Sequence, residues 1–180
     1  MGLADGGGMT GTALWWDGEA QTWEGRRGAM TADGLAAAAA LMSANPTVTA
    51  AILDRDCRHL RGKGGHYDGR THAIAVAAGY GVHRALAHEL FHSVEAGLPE
   101  EEYRRLLAVC AAGLTETTRD QRMWFGYAAA AEPGETAAHL YADWALGQTT
   151  AGFRPDGRVE ALFRRIRAGE FAGPVESGDG

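Results

Sequence analysis

Apolar residues recur along this chain with two different periods, and the change from one to the other outlines an α+β fold. The cluster Leu14-Trp15-Trp16, followed by Trp23, predicts a short hairpin carrying an aromatic patch. Thr31 predicts the N-cap of a helix that reaches Leu41 or Met42. Asn45-Pro46 stops that helix, because a proline pushes the residue before it out of the α region. Residues 47–53, Thr-Val-Thr-Ala-Ala-Ile-Leu, make a continuous run of strand length, and residues 71–78 read as a second strand. Between them the glycine-rich run 61–70 reads as a hairpin connection. It lacks the spacing and the final Ser or Thr of a phosphate-binding loop.

The period then lengthens to that of a helix. Within 80–97, Val82, Leu86, Leu90 and Phe91 share a face and Gly97 marks the end. Pro99 followed by Glu100, Glu101 and Glu102 opens another helix to about Ala112, since proline suits a first turn and acids suit its positive end. Residues 115–127 are expected to be helical, with Trp124-Phe125-Gly126-Tyr127 near a cleft. Pro133-Gly134 precedes a helix from about Glu135 to Leu146, with Gly147 as its stop. Residues 156–167 close the pattern, with Val159, Leu162, Phe163 and Ile166 inward. The expected organisation is a single domain over 13–172 between a loose segment 1–12 and a fraying tail 173–180.

One segment carries chemistry. His88-Glu89-Leu90-Phe91-His92 is an H-E-x-x-H sequence inside the predicted helix 80–97. Residues four apart lie one above the other on a helix, so both imidazoles can reach one ion. Glu89 lies about 100° further round, beside that ion, where its carboxylate can take a proton from water. Catalytic Zn²⁺ takes three protein ligands, so a third must come from elsewhere. The residues after His92 exclude a histidine in the H-x-x-G-x-x-H arrangement. Glu135 is the leading candidate, because Ala138 and Ala142 on its face would let its helix lie close to the motif helix. Glu132, His139 and Asp143 are alternatives, and Glu95 is expected to support the ligands or face solvent.

H-E-L-F-H followed by a helix reading E-T-A-A-H-L-Y-A resembles the gluzincin metallopeptidases, most closely the anthrax lethal-factor type and related small bacterial and phage-associated zincins. The resemblance covers roughly residues 45–147. It implies a zincin-like fold, with His88, His92 and Glu135 binding one Zn²⁺ and Glu89 acting as general base. It implies a tyrosine ahead of the third ligand that assists catalysis, for which Tyr127 is the nearest match. The family often has an acidic residue where this chain has His139. In zincins the strand before the motif helix lies at the sheet edge and pairs with extended peptide, which here would be 71–78. The implied activity is zinc-dependent endopeptidase action on a peptide or protein, of the toxin, effector or phage-associated kind. The alternative is an inactive zincin-fold binding module, against which the intact Glu89 counts.

Composition narrows the partners. Among 180 residues, 17 Lys plus Arg stand against 23 Asp plus Glu, and a net charge of −6 gives no footprint for nucleic acid. Two cysteines, Cys57 and Cys110, make neither a disulfide framework nor a structural zinc site, and Cys110 reads as a buried small residue. The first residues lack a basic start and an apolar stretch, and the longest small apolar run, 35–42, is too short for a membrane span. The expected location is the cytoplasm, or export within a larger protein by a leaderless route.

Overall fold

A computed structural model of the chain describes residues 13–25, 31–53, 60, 64–78, 81–116, 133–148 and 155–171. They form a mixed α+β arrangement. Strands β1 (Ala13–Asp17) and β2 (Thr22–Gly25) make the hairpin, and helix α1 (Ala32–Ser43) follows. Strands β3 (Thr49–Leu53), β4 (Gly65–Asp68) and β5 (Ala73–Ala77) complete a sheet of order β2-β1-β3-β5-β4. Helices α2 (Val82–Glu95), α3 (Glu100–Glu116), α4 (Pro133–Ala145) and α5 (Gly157–Arg167) come after. Only β3 and β5 are parallel; the remaining pairs are antiparallel.

Local signals in the chain account for most of these elements. The Thr31 hydroxyl accepts the Gly34 amide proton at the start of α1, as its N-cap position predicts. The Asp156 carboxylate does the same for Arg158 and Val159 at α5. Trp16 and Trp23 face one another across the hairpin with ring centroids 5.4 Å apart. Along β3 and β5 the side chains alternate between two faces. Ala50, Ile52, Ile74 and Val76 join the main core, while Ala51 and Leu53 meet Leu60 in a smaller cluster. Cys110 is buried in α3, and desolvation pushes its thiol up to about 12.

Two expectations about the sheet need correction. The run 61–70 is not simply a connection, because Gly65–Asp68 form strand β4, paired antiparallel to β5. The strand before the motif helix is therefore not at the sheet edge. β5 lies between β3 and β4, and β4 is the edge strand. Antiparallel pairing with the next strand, from Gly65↔Val76 to Asp68↔Ala73, decided this against a turn-like local composition. His72 is not part of β5 either. It lies in the turn after β4 with φ of 51°, its Nδ1 2.8 Å from the Tyr67 hydroxyl.

Helix α2 packs against β5 and β4 on the sheet, against α1, and most broadly against α4. Leu86, Leu90, Phe91 and Val94 are buried along it. Ala138 and Ala142 are fully buried on α4, as small residues between two close helices should be. Phe91 and Tyr141 meet across that seam as a tilted ring pair with centroids 5.8 Å apart, and Phe163 of α5 meets Tyr141 at 5.5 Å. Among the described residues no helix is long and apolar enough to cross a membrane.

Candidate metal centre

The seam between α2 and α4 brings the histidines of the motif to a carboxylate. His88 and His92 lie one turn apart on α2, with their Nε2 atoms 3.2 Å apart. Glu135, in the first turn of α4, presents one oxygen to each imidazole. Its Oε2 lies 3.2 Å from His88 Nε2 and its Oε1 3.4 Å from His92 Nε2. His139, one turn further along α4, stands over His88 with ring centroids 4.4 Å apart. Donor atoms of His88, Glu135 and His139 lie within 4.8 Å of one another, and this group can hold a metal ion. The side chains of His88, His92 and Glu135 are 11%, 18% and 37% exposed, so the cluster opens on the Glu135 side.

Charge in the cluster is strongly coupled. Hydrogen bonds from His88 and His92 hold the Glu135 carboxyl well below the usual carboxylate range, against the opposing effect of burial. Burial disfavours the His92 imidazolium, but hydrogen bonds to Glu135 and Glu95 and the nearby charges of Glu135 and Glu89 prevail and raise its pKa. Burial lowers the pKa of His139 to about 4, and the charge of His88 adds to this. His88 Nδ1 is buried and has no hydrogen-bond partner among the described residues.

Glu89 lies beside the cluster, turned towards β4, and is only 9% exposed. Desolvation raises its carboxyl pKa, and the charge of Glu135 acts in the same direction, while His88, His92 and His66 pull it down. The room for this side chain comes from β4. A Cβ on Gly65 would stand 2.7 Å from Glu89 Oε1 and 2.9 Å from its Cγ, so only a glycine leaves the carboxylate where it is.

No protein-family model, curated protein or solved structure matches this chain. The reading of the site therefore rests on its own geometry.

The alternatives for the third ligand separate in space. Asp143 is turned to Arg84, whose Nε donates to Oδ1 at 2.7 Å. Glu95 accepts from His92 Nδ1 at 3.0 Å, on the far side of the ring from Nε2. His139 joins the cluster together with Glu135. Glu132 and Tyr127 lie outside the described residues. Tyr103 was not anticipated: its hydroxyl donates to Glu95 Oε1 from α3. Nothing in its local sequence distinguishes it, because the contact joins two helices.

Proposed function

We propose that this chain is a zinc-dependent endopeptidase of zincin-like architecture, with His88, His92 and Glu135 as ligands. One observation supports the reading above the others. A tetrahedral zinc with bonds of about 2.0–2.1 Å needs its donors about 3.3–3.4 Å apart. His88 Nε2 and His92 Nε2 are 3.2 Å apart, and each has a Glu135 oxygen of its own at a similar distance, Oε2 at 3.2 Å from His88 and Oε1 at 3.4 Å from His92. A set of two imidazoles and one carboxylate also suits zinc chemically.

When bound, zinc supplies Lewis acidity, lowering the pKa of a water towards about 7 and polarising a carbonyl. Glu89 does the proton work. Its buried carboxyl, with a raised pKa, takes a proton from the attacking water as the oxygen bonds to the scissile carbonyl carbon. The C–N bond then breaks, and Glu89 passes the proton to the departing amine. The products are a carboxylate and a free amine. Tyr127 is the proposed donor to the oxyanion. The outer edge of β4, which no other strand covers among the described residues, lies beside Glu89 and suits an extended peptide held by main-chain hydrogen bonds.

The test pairs two variants with metal analysis and a proteome-wide cleavage screen. Glu89→Gln should bind one zinc per chain and cleave nothing. Glu135→Ala should bind zinc far more weakly. Wild-type protein that takes up no zinc, or a Glu89→Gln preparation with full peptidase activity, overturns the reading.

A further inference from the structure

The last turn of α2 carries a carboxylate that is neither one of the three proposed ligands nor the proposed base. Glu95 lies three residues beyond His92, on the same helical face. Its Oε2 stands 3.0 Å from His92 Nδ1. A histidine that offers Nε2 to a metal carries its proton on Nδ1, so this is an Nδ1–H donating to a carboxylate.

Two further elements fix the carboxylate. The Tyr103 hydroxyl, on α3, donates to Oε1. Gly134, at the start of α4 and next to Glu135, leaves the space. A Cβ there would collide with Glu95 Oε1 and stand 3.2 Å from the Tyr103 hydroxyl. Helices α2, α3 and α4 thus converge on one side chain.

The two histidines of the motif are not supported alike. Among the described residues His88 Nδ1 has no hydrogen-bond partner. The place one turn after Glu135, where the resemblance would put an acid, holds His139. The carboxylate support comes instead from the motif helix itself, and it goes to His92.

We infer that Glu95, anchored by Tyr103 and given room by Gly134, is the positioning residue that fixes the tautomer and ring orientation of His92 for metal binding. This rests on the metallopeptidase reading. Partners of this kind contribute about 10- to 100-fold to metal affinity.

The experiment compares wild type, Glu95→Ala, Glu95→Gln and Tyr103→Phe as intact chains. Three readouts are zinc affinity by chelator competition, the visible spectrum with Co²⁺ in place of zinc, and the Nδ1–H proton resonance of His92 in the zinc-loaded protein. Glu95→Ala should bind zinc about 10- to 100-fold more weakly. It should also change the Co²⁺ bands and lose the slowly exchanging Nδ1–H signal. Glu95→Gln, whose amide oxygen still accepts that proton, should recover part of the affinity. Tyr103→Phe should shift all three readouts in the same direction by less, and it keeps the test open should Glu95→Ala fold poorly. Variants that match wild type in all three readouts overturn this inference alone. A wild-type chain without zinc overturns the peptidase reading and this inference with it.

Discussion

Replacing Gly65 by alanine tests whether the sheet edge sets the position of Glu89. The added methyl would begin 2.7 Å from Oε1, 2.9 Å from Cγ and 3.2 Å from Cδ of that side chain, where ordinary contacts begin at 3.4 Å. Relief requires a displacement of roughly 0.7 Å of a side chain that is 9% exposed. Misplacing a reacting group by about 1 Å costs on the order of 100-fold. Gly65→Ala should therefore lose roughly 10- to 100-fold in kcat/KM, about 1.4–2.7 kcal/mol in the barrier. The strain on the fold should stay within about 1–3 kcal/mol. The assay is hydrolysis of a fluorogenic peptide taken from the cleavage screen, with zinc content and Tm recorded on the same preparations. Gly64→Ala is the control, because a Cβ there has nothing within 4 Å. A Gly65→Ala protein with wild-type kcat/KM and full zinc would refute the argument that β4 places Glu89.

Other expectations follow from groups away from the cluster. Tyr141 is fully buried and its hydroxyl has no hydrogen-bond partner among the described residues, so Tyr141→Phe should stabilise the protein by about 1 kcal/mol; an unchanged or lower Tm would show that the hydroxyl is satisfied. Asp156 pairs with Arg105, and hydrogen bonds from that side chain and from the amide of Val159 lower its carboxyl from 3.8 to about 2. A lowered carboxyl pKa gives stability that is present above its ordinary value and lost as pH falls through the folded one. Asn caps helices as well as Asp, so the Tm difference between wild type and Asp156→Asn should be steady above pH ~4 and close towards pH ~2. A difference independent of pH would count against the charge pair.

The helices were legible because their evidence is local. Val82, Leu86 and Leu90 repeat at helical spacing, Thr31 and Asp156 cap as their side chains allow, and Gly147 follows the end of α4. His88, Glu89 and His92 declared themselves through a spacing that has a geometric meaning on a helix. Glu135 could be read from the small residues on its face, since close approach of α4 to α2 depends on them. Strand β4 was hidden because its glycine answers to Glu89, far along the chain, and makes a strand look like a turn. The strand order was hidden too, since nothing within residues 71–78 states whether another strand lies beyond them. Glu95 shows both cases at once: its spacing from His92 was visible in sequence, while the hydroxyl that anchors it comes from a separate helix.

The position of the cluster has a consequence for the lifetime of the protein. His88 and His92 project from a helix seated on the sheet, whereas Glu135 opens a helix that follows the long stretch after α3. An ion bound by all three acts as a cross-link between the earlier and later parts of the chain, and its binding energy becomes part of the folding energy. Under the proposed reading, starvation for metal would thus do more than stop catalysis. It would loosen the clasp between two halves of the molecule and offer the chain to degradation, so that abundance would follow supply of the ion.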